Sequence, residues 1–360
     1  MKRVFISDCE GPISKNDNAF ELTAHFVPEG DKLFTVISKY DDVLADVFKR
    51  VGYKAGDTLK LILPFLKAYD VTNQKMQEFS AKSLILIANV KETIQHVKAI
   101  AHAFIVSTSY EHYIRALCKT IDFPFENVYC TKLDIDKYHI QEKEKIKLHK
   151  LAKEISQMQV IQIPSNAKKI EDFSERDQKA IRRLDEIFWK EIVTMEIGQI
   201  FSEVDPVGGS EKAEAVKDAV RRVGASLADV MYVGDSITDV EAFKLVRESG
   251  GLTVSFNGNQ YAVKNAEIAV LSENSIVTAI VVDVFCRFGK KPTIQLVENW
   301  SSETLRKSPI NEKLLKRFFE LYPKELPKVK LVTSENMEAL AMESIEFRKK
   351  VRGEAVGRLG

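Results

Sequence analysis

Short apolar runs alternate with longer amphipathic stretches along this chain. Val4-Phe5-Ile6 stops at Asp8-Cys9-Glu10-Gly11-Pro12, which predicts a strand ended by a Gly-Pro turn. Between 15 and 89 the apolar positions Leu59, Leu61, Ile62, Phe65 and Leu66, then Met76, Phe79, Leu84 and Ile85, recur at helical spacing. Val90, Ile94, Val97 and Ile100 mark one helix face, and Ala103 to Val106 forms a buried strand that stops at Ser107-Thr108-Ser109. Tyr113, Ile114, Leu117 and Ile121 predict another helix, and Val128-Tyr129-Cys130 a third strand. Residues 137–204 shift to charged helical patterns, one with Leu148, Leu151, Ala152 and Ile155 on a face, another starting at Ser174. A loop at 205–210 precedes a helix at 211–223, a strand at Val230–Val233, another at Leu252–Ser255 and a last core helix at Ile276–Phe285. The tail is charged, with a helix near 334–351.

Strands alternating with helices predict an α/β fold, a Rossmann-like, doubly wound parallel sheet covered on both faces. The helical blocks interrupt that alternation. The chain therefore divides into core segments 1–14, 90–136 and 205–287, a helical cap at 15–89, an additional helical insertion at 137–204 and a helical C-terminal extension at 288–360. In such a sheet ligands bind at the carboxyl ends of the strands. Those ends here read DCEG, STS and GDSITD.

Composition narrows the function classes. Apolar residues make up 45% of 360, ample for a large core. The 53 basic and 52 acidic residues nearly cancel, which argues against a nucleic-acid-binding or membrane-surface protein. No apolar stretch reaches the roughly 20 residues a membrane helix needs. Met1-Lys2-Arg3 leads into an apolar run too short for a signal peptide, so a cytoplasmic location is expected. Cys9, Cys118, Cys130 and Cys286 lack metal-ligand spacing and read as free thiols in a reducing compartment. The six histidines show no paired metal spacing and read as surface or core positions.

Four short motifs follow one another: Asp8-Cys9-Glu10-Gly11, Ser107 after a strand, Lys212 opening a helix after Gly-Gly, and Gly234-Asp235-Ser236-Ile237-Thr238-Asp239. Singly, each has an ordinary structural explanation. Together, in this order, they resemble the haloacid dehalogenase (HAD) superfamily of phosphatases over roughly 1–14, 90–135 and 205–287. The helical block after the first motif, and GLTVSFN at 251–257, are similar to the phosphoserine phosphatase branch. The opening DCEGPIS also resembles a group of archaeal proteins labelled energy-converting hydrogenase A subunit R.

The resemblance implies a Mg²⁺-dependent phosphoric monoester hydrolase that acts on a small phosphorylated metabolite through an aspartyl-phosphate. Asp8 is then the nucleophile and Glu10 the general acid and base. Ser107, with Thr108, and Lys212 bind the phosphoryl group. Asp8, the main-chain carbonyl of Glu10, Asp235 and, directly or through water, Asp239 hold Mg²⁺. Two departures stand out. Glu10 replaces the family's usual Asp, and Thr108-Ser109 replaces the two glycines of the phosphoserine branch, which argues against serine phosphate as the substrate. The competing reading is a non-catalytic subunit of a larger archaeal, hydrogenase-associated complex, docking a protein partner through 137–204 or the C-terminal extension.

Overall fold

A computed structural model describes residues 3–357. Among the described residues seven strands form one sheet: β1 (Val4–Ser7), β2 (His102–Tyr110), β3 (Val128–Thr131), β4 (Val230–Gly234), β5 (Leu252–Phe256), β6 (Ile268–Leu271) and β7 (Lys328–Leu331). Their order is β3-β2-β1-β4-β5-β6-β7, and every neighbouring pair is parallel except β6–β7. The helices that position the site are, in chain order, α1 (Asn18–Phe26), α2 (Gly30–Asp42), α3 (Asn73–Ser83), α4 (Val90–Ile100), α5 (Glu111–Ile121), α6 (Glu142–Ser156), α7 (Glu175–Glu186), α8 (Ser210–Arg222), α9 (Val240–Glu248), α10 (Ile276–Phe288) and α11 (Met337–Arg352).

The alternation of side chains along a strand sends Phe5, Ile105, Met231 and Val233 to one face, where α4, α5 and α10 cover them. It sends Val4, Ile6, Phe104, Val106, Val230 and Tyr232 to the other, beneath α8 and α9. This is the expected Rossmann-like, doubly wound α/β arrangement, in which buried strands read as continuous apolar runs. β1 is central: Val4 pairs with His102 on one side and Val230 on the other. The chain leaves β1 toward β2 on one flank and reaches β4 on the opposite flank. The crevice at the carboxyl ends of these strands is therefore a topological switch point.

The two helical blocks share one hydrophobic core. Leu22, Leu33, Ile37 and Met76 pack with Leu148, Leu151, Ile181 and Leu184, so α1–α3 and α6–α7 build a single lobe. Polar contacts tie the blocks further. Tyr40 donates its hydroxyl to Asp185 Oδ1 at 2.5 Å and accepts from Trp189 Nε1 at 2.9 Å, while Arg50 pairs with Asp185 at 2.9 Å. The lobe joins the core through a two-stranded strap, with Lys15 N–H donating to Ile85 O (2.8 Å) and Ile87 N–H to Ile13 O (2.9 Å).

Three elements depart from the sequence pattern. β2 does not stop at Ser107; it continues to Tyr110, with its pairing to β3 shifting register between Val106 and Tyr110. Such an irregularity re-aims the side chains inside it. β6 was hidden because four apolar residues beside a helix carry no period of their own. β7 lies in the tail that the pattern reads as helical. It is four residues long, with Lys328 and Lys330 exposed and Val329 buried, the lysine-studded form in which edge strands resist further pairing. All four cysteines are free thiols. No described helix is long and apolar enough to cross a membrane.

Candidate active site

β1 ends at Ser7, which places Asp8 at the mouth of the crevice, its N–H donating to Val233 O at 2.8 Å. β4 ends at Gly234 and delivers Asp235 beside it. The turn after β4 is closed by Asp239, whose Oδ2 accepts the N–H groups of Asp235 (2.9 Å) and Ser236 (3.0 Å). Asp239 Oδ1 accepts the Tyr232 hydroxyl at 2.7 Å and Lys212 Nζ at 2.7 Å. Lys212, from the first turn of α8, is 0% exposed and donates equally to Asp8 Oδ2, also at 2.7 Å. A buried ammonium persists only when paired, and here two carboxylates flank it. Burial alone would depress its proton affinity, but Asp239 and Asp8 together hold it above the ordinary lysine value.

Burial pushes the Asp8 carboxyl up to about 7 against the pull of Lys212, with Asp239 and Asp235 adding to the rise. A carboxylate in that position is short of positive charge. Asp8, Asp235 and Asp239 each offer an oxygen within 4.8 Å of one another. The donor set is all oxygen, which suits a hard divalent cation such as Mg²⁺. The surrounding chain is cut to fit: a Cβ on Gly11 would lie 2.1 Å from Asp235 Oδ2, and one on Gly234 2.4 Å from the Asp239 carboxyl carbon. Of the three carboxylates, Asp8 and Asp235 line the cavity above. Asp239, with both oxygens engaged by Lys212, Tyr232 and the 235–236 amides, sits behind them and holds the arrangement.

That cavity, about 100 Å³, lies between the strand ends and the helical lobe. Glu10 and Asp17 line one side, Asp41 and Asp42 of α2 another, and Thr108 and Ser109 a third. Glu10 accepts the Asn18 N–H at 2.7 Å. Burial raises its carboxyl well above the usual range, reinforced by Asp17 and opposed by the Asn18 N–H and Arg352. Ser107 is buried and lies off the cavity wall, its Oγ accepting the Ser109 N–H at 3.2 Å. The register shift in β2 turns Thr108 and Ser109 to the cavity instead, and their hydroxyls are buried without a hydrogen-bond partner.

Sequence reasoning missed Asp17, Asp41, Ser109 and, above all, Arg348 and Arg352 of α11. Both guanidinium groups pair with Asp235 Oδ2, Arg352 at 2.9 Å, and both line the cavity. Arg352 also donates to the main-chain oxygens of Lys15 (3.0 Å) and Asn16. Their i,i+4 spacing put them on one helix face, but a run such as Arg348-Lys349-Lys350 reads as a solvated surface. His96, His112 and His149 are spent on Asp283, Asn73 and the Ala68 carbonyl, outside the site.

The fold matches the solved structure of gene product AF1437 from Archaeoglobus fulgidus at a TM-score of 0.81, with 26% identity over 100% of this chain and 99% of that one. A phosphoserine phosphatase solved as a phospho-aspartyl intermediate analogue matches at a TM-score of 0.47 and 14% identity, over 76% of this chain and 95% of that one. A haloacid dehalogenase-like protein from Agrobacterium tumefaciens matches at 0.36 and 11%, over 78% and 98%. No curated protein matches the chain. The family model for haloacid dehalogenase-like hydrolases matches residues 70–282, more than half of the chain, and the protein belongs to that family.

Proposed function

We propose that the protein is a Mg²⁺-dependent phosphatase that hydrolyses a small phosphate monoester through a phosphorylated Asp8. The observation that carries this reading is the fully buried Lys212, bridging Asp8 and Asp239 at 2.7 Å each behind the cavity that Asp8 and Asp235 line. A purely structural role leaves such an assembly without a purpose, since buried ionic clusters seldom add stability over apolar packing.

An Asp8 carboxylate oxygen bonds to phosphorus as the ester P–O bond breaks, and the Glu10 carboxyl gives its proton to the departing oxygen. Glu10, now a carboxylate, then takes a proton from the water whose oxygen attacks phosphorus. The bond from Asp8 to phosphorus breaks and inorganic phosphate leaves. Lys212 faces the negative charge on Asp8 and the phosphoryl group throughout. The unpartnered hydroxyls of Thr108 and Ser109 are the donors available to substrate oxygens, with Ser107 steadying the turn that carries them. Bound Mg²⁺, held by Asp8, Asp235 and the Glu10 carbonyl with Asp239 behind, would neutralise and orient the phosphoryl oxygens. The helical lobe serves as the lid that excludes water.

The direct test is turnover of a phosphorylated-metabolite panel and an aryl phosphate, with Mg²⁺ or chelator, against Asp8→Asn. Hydrolysis that needs both the metal and Asp8 is expected. Equal rates with chelator would remove the metal, and no turnover of any ester would remove the activity.

A further inference from the structure

Arg348 and Arg352 change the charge balance of the site, and this has a consequence for what binds there. Asp8, Asp235 and Asp239 bring three negative charges together. With Lys212 as the one countercharge, two negative charges would remain, which a bare divalent cation matches. α11 supplies two more positive charges, both on Asp235 Oδ2, with the Arg348 and Arg352 side chains 4% and 3% exposed. The three cations now balance the three carboxylates. Of the other carboxylates on the cavity wall, Asp42 pairs with Lys39 at 2.7 Å, while Asp41, Asp17 and Glu10 are held by neutral donors: the Tyr53 hydroxyl and Gly56 N–H, the Phe20 N–H and the Asn18 N–H.

The arginines are built in. Arg352 is fixed by the Lys15 and Asn16 carbonyls at the base of the helical lobe, and Arg348 also donates to the Asp235 carbonyl at 3.3 Å. α11 itself is anchored by the Ser344 hydroxyl on the Gly258 carbonyl at 2.6 Å. A divalent cation arriving alone would meet two fixed guanidinium groups on its ligand. A phosphate dianion arriving alone would meet Asp8 and Asp235. A cation and a phosphate arriving together leave the balance unchanged.

We propose that Arg348 and Arg352, which lie outside the matched family region, are positioning residues that make this site a receptor for a divalent cation–phosphate pair. Cation and phosphate then bind it jointly and each poorly alone. The inference rests on the phosphatase reading of the site. Because binding free energies are linked, phosphate must tighten the cation by the same factor as the cation tightens phosphate.

The experiment uses the full chain stripped of metal, with Mn²⁺ as a spectroscopic probe and inorganic phosphate as the anion. Mn²⁺ affinity is read by electron paramagnetic resonance with and without phosphate, and phosphate affinity by calorimetry with and without Mn²⁺. In the natural protein each ligand should tighten the other at least tenfold. In Arg352→Gln, and in Arg348→Gln with Arg352→Gln, Mn²⁺ should bind more tightly alone, and the coupling should fall below about threefold. Arg352→Lys keeps the charge and should keep most of the coupling, which a merely structural role would not predict. Melting curves identify folded variants, and Arg352→Gln stands in if the double variant does not fold. Equal Mn²⁺ affinity with and without phosphate in the natural protein, or undiminished coupling in a folded Gln variant, would overturn the proposal. Turnover assayed on the same samples separates the two readings. Coupling without turnover sinks the hydrolase reading alone, turnover without coupling sinks this inference alone, and neither sinks both.

Discussion

In the proposed mechanism the chemistry turns on Glu10. Burial raises the proton affinity of its carboxyl well above the ordinary glutamate value, and the nearby charge of Asp17 adds to the rise, which favours the acid form. A protonated carboxyl beside Asp8 is what leaving-group departure needs. Glu10→Ala should therefore lower turnover by roughly 10²–10⁴, the usual worth of a positioned proton transfer. With an aryl phosphate, whose leaving group needs little protonation, the phosphorylated Asp8 should accumulate and be trappable by acid quench. The alternative is that Glu10 only caps the loop through the Asn18 N–H, at a cost of about 1 kcal/mol when lost. In that case the melting temperature drops and turnover per folded molecule does not. Lys212→Met separates charge from shape. It leaves Asp8 and Asp239 buried without their shared cation, so the metal-free protein should lose about 3–5 kcal/mol in urea unfolding. Near-unchanged stability would mean that the Lys212 charge is not what holds the cluster together. Asp8, Lys212, Asp235 and Asp239 were legible in the sequence because each follows a recognisable strand end or opens a helix, and the topology sends those ends to one crevice. That Thr108 and Ser109, rather than Ser107, face the cavity was not readable, because a register shift in a strand leaves no mark on hydrophobic pattern. The arginines were illegible because long-range ion pairs have no period at all.

At the scale of elements, the site is closed by contacts between lobe and core. Lys54 pairs with Asp205 and, at 2.7 Å, with Glu211, and Tyr261 donates its hydroxyl to Asp46 at 3.1 Å. Between these latches the chain at 54–57 lies directly on the 207–209 loop. A Cβ on Gly208 would sit 2.3 Å from the Ala55 carbonyl oxygen. That oxygen is main chain, so it cannot swing aside as a side chain would. Gly208→Val should therefore prop the lobe open without unfolding either layer. A raised KM, turnover at saturation down by about tenfold, and faster hydrogen exchange across 43–57 are the expected signature, because incomplete closure admits water and leaves the substrate loosely held. In the natural protein a phosphate mimic such as beryllofluoride with Mg²⁺ should slow exchange in 15–89. Protection confined to 137–204 would assign the lid to the other block. The elements themselves were largely readable from the pattern, since β1, β4 and β5 are short apolar runs, α4 and α8 carry apolar residues at helical spacing, and α10 is apolar over most of its length. What periodicity did not show is that 15–89 and 137–204 share one core, because two amphipathic faces that meet across a fold carry no record of each other.

The chain is nearly neutral as a whole, yet several of its carboxyl groups are buried, and this sets how its stability depends on pH. Burial pushes Asp8, Asp41 and Glu21 each up to about 7. For a carboxyl whose proton is held more tightly in the folded chain than in the unfolded one, folding takes up a proton. Stability is then greatest below the unfolded value near 4 and falls as pH rises from there to about 7. The metal-free protein should accordingly be more stable at pH 5 than at pH 8, the reverse of a protein whose carboxylates sit in stabilising salt bridges. Asp41 isolates one such contribution, since it lies in the lobe. It accepts the Tyr53 hydroxyl at 2.6 Å and the Gly56 N–H at 3.1 Å, which only partly offset its burial. A shift of its size corresponds to about 2–4 kcal/mol lost between pH 5 and pH 8, at about 1.4 kcal/mol for each tenfold change in proton affinity. Asp41→Asn is neutral at every pH and keeps one acceptor oxygen in place. It should be slightly less stable than the natural chain at pH 5, where a hydrogen bond is lost, and more stable at pH 8, where the charge is no longer buried. Urea unfolding in chelator at the two pH values gives both numbers. Parallel pH dependences for the two proteins would show that Asp41 is ionised in the fold and that the acidic lobe wall carries its charge without penalty.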